Sequence, residues 1–258
     1  VTSGRPTRRV VGVLGGMGPL ATADFYTKLI RLTPARTDQE HLHVIIDSTP
    51  EVPDRTAAVL GQGPDPTPAL ATSARRLVQA GAEILAVPCN SAHAFLEAIR
   101  EAAAVPVLDM MEEVASFILA LRPPVRTAGL LATSGTLVAR LYHRALLARG
   151  IAVVEPPPAG QERLMAAIYA VKAGDTGEAV RSSVREVALG LVEVGAQAVV
   201  LGCTELPLVM GPQDLPVPVL DATEILARAT IREATGGEFG RSPERFHDNN
   251  AGVAARRR

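Results

Sequence analysis

Short, continuous apolar runs alternate with amphipathic stretches along most of this chain. In the first half the runs are Val10–Leu14, Val44–Asp47, Ile84–Val87 and Pro106–Leu108. In the second half they are Ala128–Leu131, Ala152–Val154, Ala198–Leu201 and Pro218–Leu220. Each is bounded by turn-type residues, the pattern of a strand buried on both faces. Segments with helical spacing lie between them, among them Leu20–Leu32, Pro68–Gln79, Ala92–Ala103, Thr136–Ala148, Glu162–Val171 and Glu178–Val194. Such alternation predicts an α/β fold in which parallel sheets are flanked by helices. Right-handed crossovers then gather the carboxyl ends of the strands on one side of each sheet.

The two halves repeat one another. Gly12-Val-Leu-Gly-Gly-Met-Gly-Pro-Leu matches Gly129-Leu-Leu-Ala-Thr-Ser-Gly-Thr-Leu, and Gly81-Ala…Cys89 matches Gly195-Ala…Cys203. Val105-Pro-Val-Leu-Asp109, followed by Glu112 and Ala115, matches Val217-Pro-Val-Leu-Asp221, followed by Glu224 and Ala227. Three collinear matches at offsets of 117, 114 and 112 residues indicate an internal duplication with a period far longer than that of a solenoid. Two pseudo-symmetric lobes are therefore expected, 8–121 and 122–235, with Pro123-Pro124 as the hinge and the final helix free to cross to the other lobe. Residues 236–258, rich in Gly, Arg and Asn, read as a flexible tail.

Composition narrows the function classes. At 258 residues, 47% apolar and 21% charged, the chain can bury one large core or two smaller ones. A formal net charge of −1 gives no electrostatic footprint for nucleic acid or membrane. With 3% aromatics and no Trp, a base-stacking platform is not expected. Arg5, Arg8 and Arg9 before an apolar stretch imitate a signal peptide, but that stretch contains four glycines and recurs inside the chain. Two cysteines in a chain this long make no disulfide scaffold, so both are expected reduced and the protein cytoplasmic.

Those cysteines carry the chemistry. Cys89 and Cys203 each follow their Gly-Ala by the same spacing and each end a strand, where open α/β sheets place ligands. Each precedes polar residues, Asn90-Ser91 and Thr204-Glu205, and a helix start after each thiol would favour its thiolate. Two thiols facing one cleft can take a proton from a carbon and return one to its opposite face without a cofactor. The loop Gly15-Gly-Met-Gly-Pro-Leu-Ala21 fits a dinucleotide fingerprint loosely. Its counterpart, Ala132-Thr-Ser-Gly-Thr136, keeps one glycine and adds hydroxyls, which suits two anionic groups of a small ligand better. His41-x-His43 has metal-like spacing but no third ligand, His93 follows Cys89, and His143 and His247 give no signal.

GVLGGMGPLAT, DQEH, PDRTA, PCNSAHAF, GLLATSGT, VKAG and GCTE, in this order, closely resemble the aspartate racemases of the pyridoxal-phosphate-independent aspartate/glutamate racemase family. The resemblance spans roughly residues 9 to 235. It implies two α/β lobes, a substrate cleft between them, catalysis by Cys89 and Cys203, no cofactor, no metal, and a homodimer acting on a small acidic amino acid. It further implies that Arg55 and Lys172 hold carboxylates, a task for which the guanidinium fork of an arginine is suited. Met17, Gly18, Ser48, Asn90, Ser91, Thr133, Thr136, Thr204 and Glu205 complete the implied substrate shell. Glutamate racemases usually carry histidine where Glu205 stands, which favours the aspartate branch. Two departures bear on substrate choice: Ser91 replaces a common threonine, and Asp47-Ser48-Thr49 replaces a stretch that is often Asn-rich. Other readings are a glutamate or broad-specificity racemase, and a cis–trans isomerase or decarboxylase on the same scaffold. Beyond these stand a nicotinamide-dependent oxidoreductase and a two-lobed binding protein for an acidic metabolite.

Overall fold

The computed structural model describes residues 8–237. The first sheet contains β1 (Val11–Gly15), β2 (Val44–Ser48) and β3 (Ile84–Ala86) in the order β2-β1-β3. The second contains β4 (Thr127–Ala132), β5 (Ala152–Val154), β6 (Ala198–Gly202) and β7 (Val219–Asp221) in the order β5-β4-β6-β7. Every pairing is parallel. The central strands β1, β4 and β6 come from unbroken apolar runs and are almost wholly buried, whereas the edge strands β2 and β5 are half-exposed.

The expected strand at Pro106–Leu108 shrinks to a single bridge between Leu85 and Val107. Its counterpart β7 pairs over three residues, Val199–Leu201 with Val219–Asp221. The difference lies in the neighbour: Pro88, which has no N–H to donate, stops β3 short of Cys89, while Gly202 lets β6 run up to Cys203.

The helices are α1 (Pro19–Leu32), α2 (Arg55–Val59), α3 (Thr67–Gln79), α4 (Leu96–Ala103), α5 (Met110–Ala120), α6 (Ser134–Val138), α7 (Leu141–Leu147), α8 (Pro158–Lys172), α9 (Glu178–Glu193) and α10 (Ala222–Ala234). The helix expected over Thr136–Ala148 is two, because the chain breaks at Arg140, whose φ of 52° is left-handed. The segment after Cys89 opens as a 3-10 turn, Ser91–Phe95, before α4 begins.

The repeated Val-Pro-Val-Leu-Asp motif has a structural purpose. Asp109 caps α5 by accepting from the N–H groups of Met111 and Glu112, and Asp221 caps α10 by accepting from Thr223 and Glu224. These two helices cross reciprocally: α10 packs on α1 of the first half, and α5 packs on α7 of the second. The duplicated glutamates tie each crossing, Glu224 to Arg31 at 2.9 Å and Glu112 to Arg149 at 2.6 Å. Lys28, buried on α1, adds an ion pair to Asp221 at 2.7 Å.

One apolar core consequently joins both halves. Val11, Val13, Phe25 and Leu29 meet Met110, Val114 and Ile118, then Leu130, Tyr142, Leu146, Leu226 and Ile231. Each fully buried aliphatic or aromatic side chain there stabilises by about 1.5–3 kcal/mol. Separate clusters fill the outer face of each sheet. Among the described residues, no helix is long and apolar enough to cross a membrane. The expected tail lies almost wholly outside the described residues, as does His247.

Candidate active site

A cleft of about 360 Å3 opens between the two halves at the carboxyl ends of β1 and β6. The first half contributes the loop Gly16–Leu20 with Pro50, Val52, Asp54 and Arg55; the second contributes Val171, Lys172, Glu205 and Leu208. The loop after β1 needs its first glycine. Gly16 has φ +89°, and a Cβ there would lie 2.4 Å from the backbone nitrogen of Thr49. The next turn starts α1 at Pro19 without a side-chain cap, leaving Met17 and Gly18 on the cleft wall.

Arg55 is buried at the start of α2. Its Nη1 donates to the carbonyls of Val52 and Pro53, both at 2.9 Å, and Nη2 reaches the Met17 carbonyl only at 3.5 Å. Nε is buried without a partner. The guanidinium is thus anchored on one side and keeps on the other the Nε–H and Nη2–H pair that can grip a carboxylate side-on.

Both thiols are buried, but their neighbours differ. Cys89 Sγ lies 3.7 Å from the hydroxyl of Ser91. His93 braces its backbone: Nδ1–H donates to the Cys89 carbonyl at 3.0 Å, and Nε2 accepts from the Met110 N–H at 3.2 Å. Burial lowers the His93 pKa despite the raising effect of Asp109 and of the carbonyls, so the ring stays neutral, as those two bonds require.

Cys203 instead donates to Oε2 of Glu205 at 3.0 Å, and Thr204 Oγ1 donates to the same oxygen at 3.3 Å. Burial first, then the Glu205 carboxylate, push the Cys203 thiol well above the ordinary range, against the opposing pull of Lys172. The expected helix start at Cys203 is only a three-residue 3-10 turn, Leu206–Leu208. Its few aligned peptides do not offset a carboxylate in contact with the sulfur, so the expectation of a favoured thiolate is corrected at this residue.

Lys172 ends α8, exposed at the cleft mouth. Partial desolvation would lower its pKa, but Glu205 foremost, then Cys203 and Cys89, raise it overall. Its ammonium is therefore within electrostatic reach of both sulfurs. Glu205 is almost wholly buried, and its Oε1 has no hydrogen-bond partner among the described residues. A Cβ on Gly18 would stand 3.4 Å from that oxygen, so the glycine keeps the wall open in front of it.

The remaining expected residues fall into three groups. Asn90, Ser91 and Thr204 are buried beside the thiols. Thr133 caps α6 and Thr136 is fully buried; their hydroxyls bond each other at 3.1 Å, and Thr56 joins them by donating to Thr133 at 3.1 Å. Ser48 is exposed at the end of β2 and does not line the cleft. Its neighbour Asp47 turns to Arg76 on α3 at 2.9 Å and to Thr49 at 3.1 Å, so this extra carboxylate is spent outside the cleft. Among the described residues, no three His, Cys, Asp or Glu side chains gather as metal ligands.

Two residues beside the site carry little sequence signal. Thr56 sits in the PDRTA segment, overshadowed by Arg55. Tyr142 lies on α7, far in sequence from Cys89, and its hydroxyl reaches Asn90 at 2.5 Å. A second cleft, also about 360 Å3, lies behind His93 between Glu97, Arg100, Asp109, Glu112 and Arg144; both thiols are buried and line neither cleft, Cys203 being joined to the first one through Glu205.

With Arg55, Lys172 and Glu205 lining one cleft and the buried Cys203 thiol bonded to that glutamate, the comparison with known proteins is decisive. Residues 14–230 match the Asp/Glu/Hydantoin racemase family. The chain belongs to this family. It is 28% identical over 230 residues to the broad specificity amino-acid racemase RacX of Bacillus subtilis, a match covering 86% of this chain and 96% of that protein. Its fold is similar to Picrophilus torridus aspartate racemase, with a TM-score of 0.79 and 30% identity over 88% of this chain and 94% of the other. It is also similar to Francisella tularensis glutamate racemase in complex with D-glutamate, at a TM-score of 0.63. That likeness covers 86% of this chain and 80% of the other at 19% identity, and is one of fold. The two-lobed α/β architecture implied by the sequence resemblance is thus the family's own.

Proposed function

We propose that this protein interconverts the enantiomers of an acidic amino acid, aspartate first, without a cofactor, using Cys89 and Cys203 as the acid–base pair. The observation that carries the reading is a cleft walled by both halves in which Arg55 and Lys172 stand with Glu205, whose carboxylate accepts from the buried Cys203 thiol at 3.0 Å. In one direction Cys89, as thiolate, takes the α-proton, and the Cys203 thiol delivers its own proton to the opposite face of the carbanion. The reverse turnover requires Cys203 as thiolate, and Glu205 at 3.0 Å is placed to receive the proton it sheds. Arg55 and Lys172 hold the two carboxylates, and the unpartnered Oε1 of Glu205 receives the substrate ammonium. Asn90, Ser91 and Thr204 orient the α-carboxylate, Met17 and Gly18 line the cleft, and Thr133 and Thr136 brace its second half from behind through their buried hydroxyl network with Thr56.

A broad-specificity racemase is the second reading. It is favoured by the apolar part of the cleft wall, Leu20, Val52, Val171 and Leu208, which accepts a side chain without charge. Incubating the protein with a panel of amino acids in D2O, with no cofactor added, tests both. The first reading expects α-deuterium in aspartate far ahead of alanine, asparagine or leucine, and the second expects comparable exchange across the panel. No exchange in any amino acid overturns the racemase proposal. Following the resemblance, we also propose a cytoplasmic homodimer, for which sedimentation equilibrium is the direct test of assembly.

A further inference from the structure

Tyr142 is fully buried in α7, and the chemistry above leaves it without a role. Its hydroxyl donates to Oδ1 of Asn90, the residue after Cys89, at 2.5 Å. On its other side, a Cβ on Gly202, the residue before Cys203, would meet the tyrosine ring at 3.1 Å. Burial chiefly, and then a negative charge on Cys203, hold the phenol well above its usual pKa. One protonated phenol thus touches the segments carrying both thiols.

This hydrogen bond determines how Asn90 is turned. A carboxamide has an acceptor end and a donor end. A phenol that must donate engages the acceptor, so Nδ2 is directed the other way. That Nδ2 is buried and has no hydrogen-bond partner among the described residues. A buried amide left unpaired is unfavourable until something brings it an acceptor. We propose that Tyr142 is a positioning residue: it locks the Asn90 amide so that Nδ2–H is offered to a carboxylate oxygen of the substrate. The inference rests on the racemase reading and adds to it the group that orients one of its binding contacts. Without the hydroxyl the amide is free to turn over and meet the carboxylate with an oxygen.

Tyr142→Phe removes one oxygen and preserves the packing. Its KM for aspartate is expected to rise about tenfold to a hundredfold, with a smaller change in kcat, as for loss of a hydrogen bond to a charged group. In an Asn90→Ala background the same change should have no further effect, because the hydroxyl acts only through the amide. Asn90→Asp distinguishes positioning from scaffolding without relying on Tyr142→Phe to fold. It keeps an acceptor for the phenol but offers no donor and adds a like charge, so KM should rise at least as far as in Asn90→Ala. Tyr169→Phe, on the exposed side of α8, serves as the control and should be unchanged. A near-wild-type KM in Asn90→Asp, or an undiminished loss from Tyr142→Phe in the Asn90→Ala background, overturns the assignment while leaving an active wild type's racemase reading intact. An inactive wild type overturns both.

Discussion

The two halves share a sheet order, a capping aspartate and a crossing helix, yet their thiols stand in unlike surroundings. Cys89 has a hydroxyl 3.7 Å away and a neutral histidine holding its carbonyl. Cys203 has a carboxylate at 3.0 Å. The duplicated backbone sets where the sulfurs are, and the residues two places further on, Ser91 and Glu205, set how each holds its proton. The pair must hold one proton between two sulfurs, and this asymmetry sets which sulfur holds it at rest, while each takes either role according to the direction of turnover.

Removing either sulfur is the most severe way to break the comparison. Cys89→Ser and Cys203→Ser should each lose racemisation by at least ~10²–10⁴-fold, the usual worth of a general acid or base. The two losses need not look alike in D2O: each variant should keep at most the exchange that its remaining thiol supports with one enantiomer. Optical rotation followed beside NMR exchange, from each enantiomer separately, reads both quantities. Near-wild-type racemisation by either variant would exclude the two-thiol mechanism.

The cations form a second unequal pair. Arg55 is buried and anchored by backbone carbonyls, whereas Lys172 stands exposed at the mouth. Arg55→Ala should cost roughly 2–5 kcal/mol in kcat/KM for aspartate, since it leaves a buried carboxylate unpaired. Lys172→Ala should cost nearer ~1 kcal/mol, because solvent screens it. Measured against alanine and asparagine, at least one loss should shrink, which identifies the cation that reads the distal carboxylate. Equal losses on all three substrates would assign both to the α-carboxylate.

Much of this was legible in the sequence because it depends on local chemistry. Apolar runs bounded by glycine gave the strands, and the duplicated Gly-Ala…Cys spacing placed both sulfurs at strand ends. What was not legible depends on contacts between distant segments. No glycine marks the break at Arg140, and nothing around Tyr142 reveals that α7 brings it to Asn90. Glu112 and Glu224 are conspicuous in the repeat, but only the crossing of α5 and α10 shows that they pair with Arg149 and Arg31. From sequence the Asp47 carboxylate reads either as a specificity element or as a group turned into the structure, and its pairing with Arg76 on α3 favours the second. The electrostatics of Cys203 were missed for a similar reason: the chain after it folds as a short 3-10 turn, and Glu205 folds back onto the sulfur.

The lobes also touch at the small helices α2 and α6, a contact that neither sulfur makes. There Gly135 is fitted so closely that a Cβ would lie 2.7 Å from the Cα of Thr56. Gly135→Ala must push α2 away and part the Thr56–Thr133 bond. A cost of about 1–3 kcal/mol in unfolding free energy is expected, as for other overpacked sites, with a raised KM because Arg55 begins the displaced helix. Urea denaturation with the assay run on the same samples checks both. A variant with unchanged stability and KM would show that the lobes do not depend on this contact.

The mildest change bears most directly on the difference between the thiols, and it displaces a pH profile instead of abolishing one. Burial and the Glu205 charge both raise the Cys203 pKa, so in the wild type its thiolate is scarce at neutral pH and grows only on the alkaline side of the ordinary thiol range. Glu205→Gln keeps the burial and removes the charge, leaving the pull of Lys172 unopposed by that carboxylate. The sign is therefore fixed: the Cys203 inflection moves to lower pH. In a Cys89→Ser background only Cys203 reacts, and its rate of alkylation by iodoacetamide across pH 6–10 reports the thiolate directly. The same substitution in a Cys203→Ser background should leave the profile of Cys89, which has Ser91 and not Glu205 at its sulfur, nearly in place. Equal displacement of both profiles would show that Glu205 acts on the cleft as a whole, and the contrast drawn between the two sulfurs would fall, since both are equally buried.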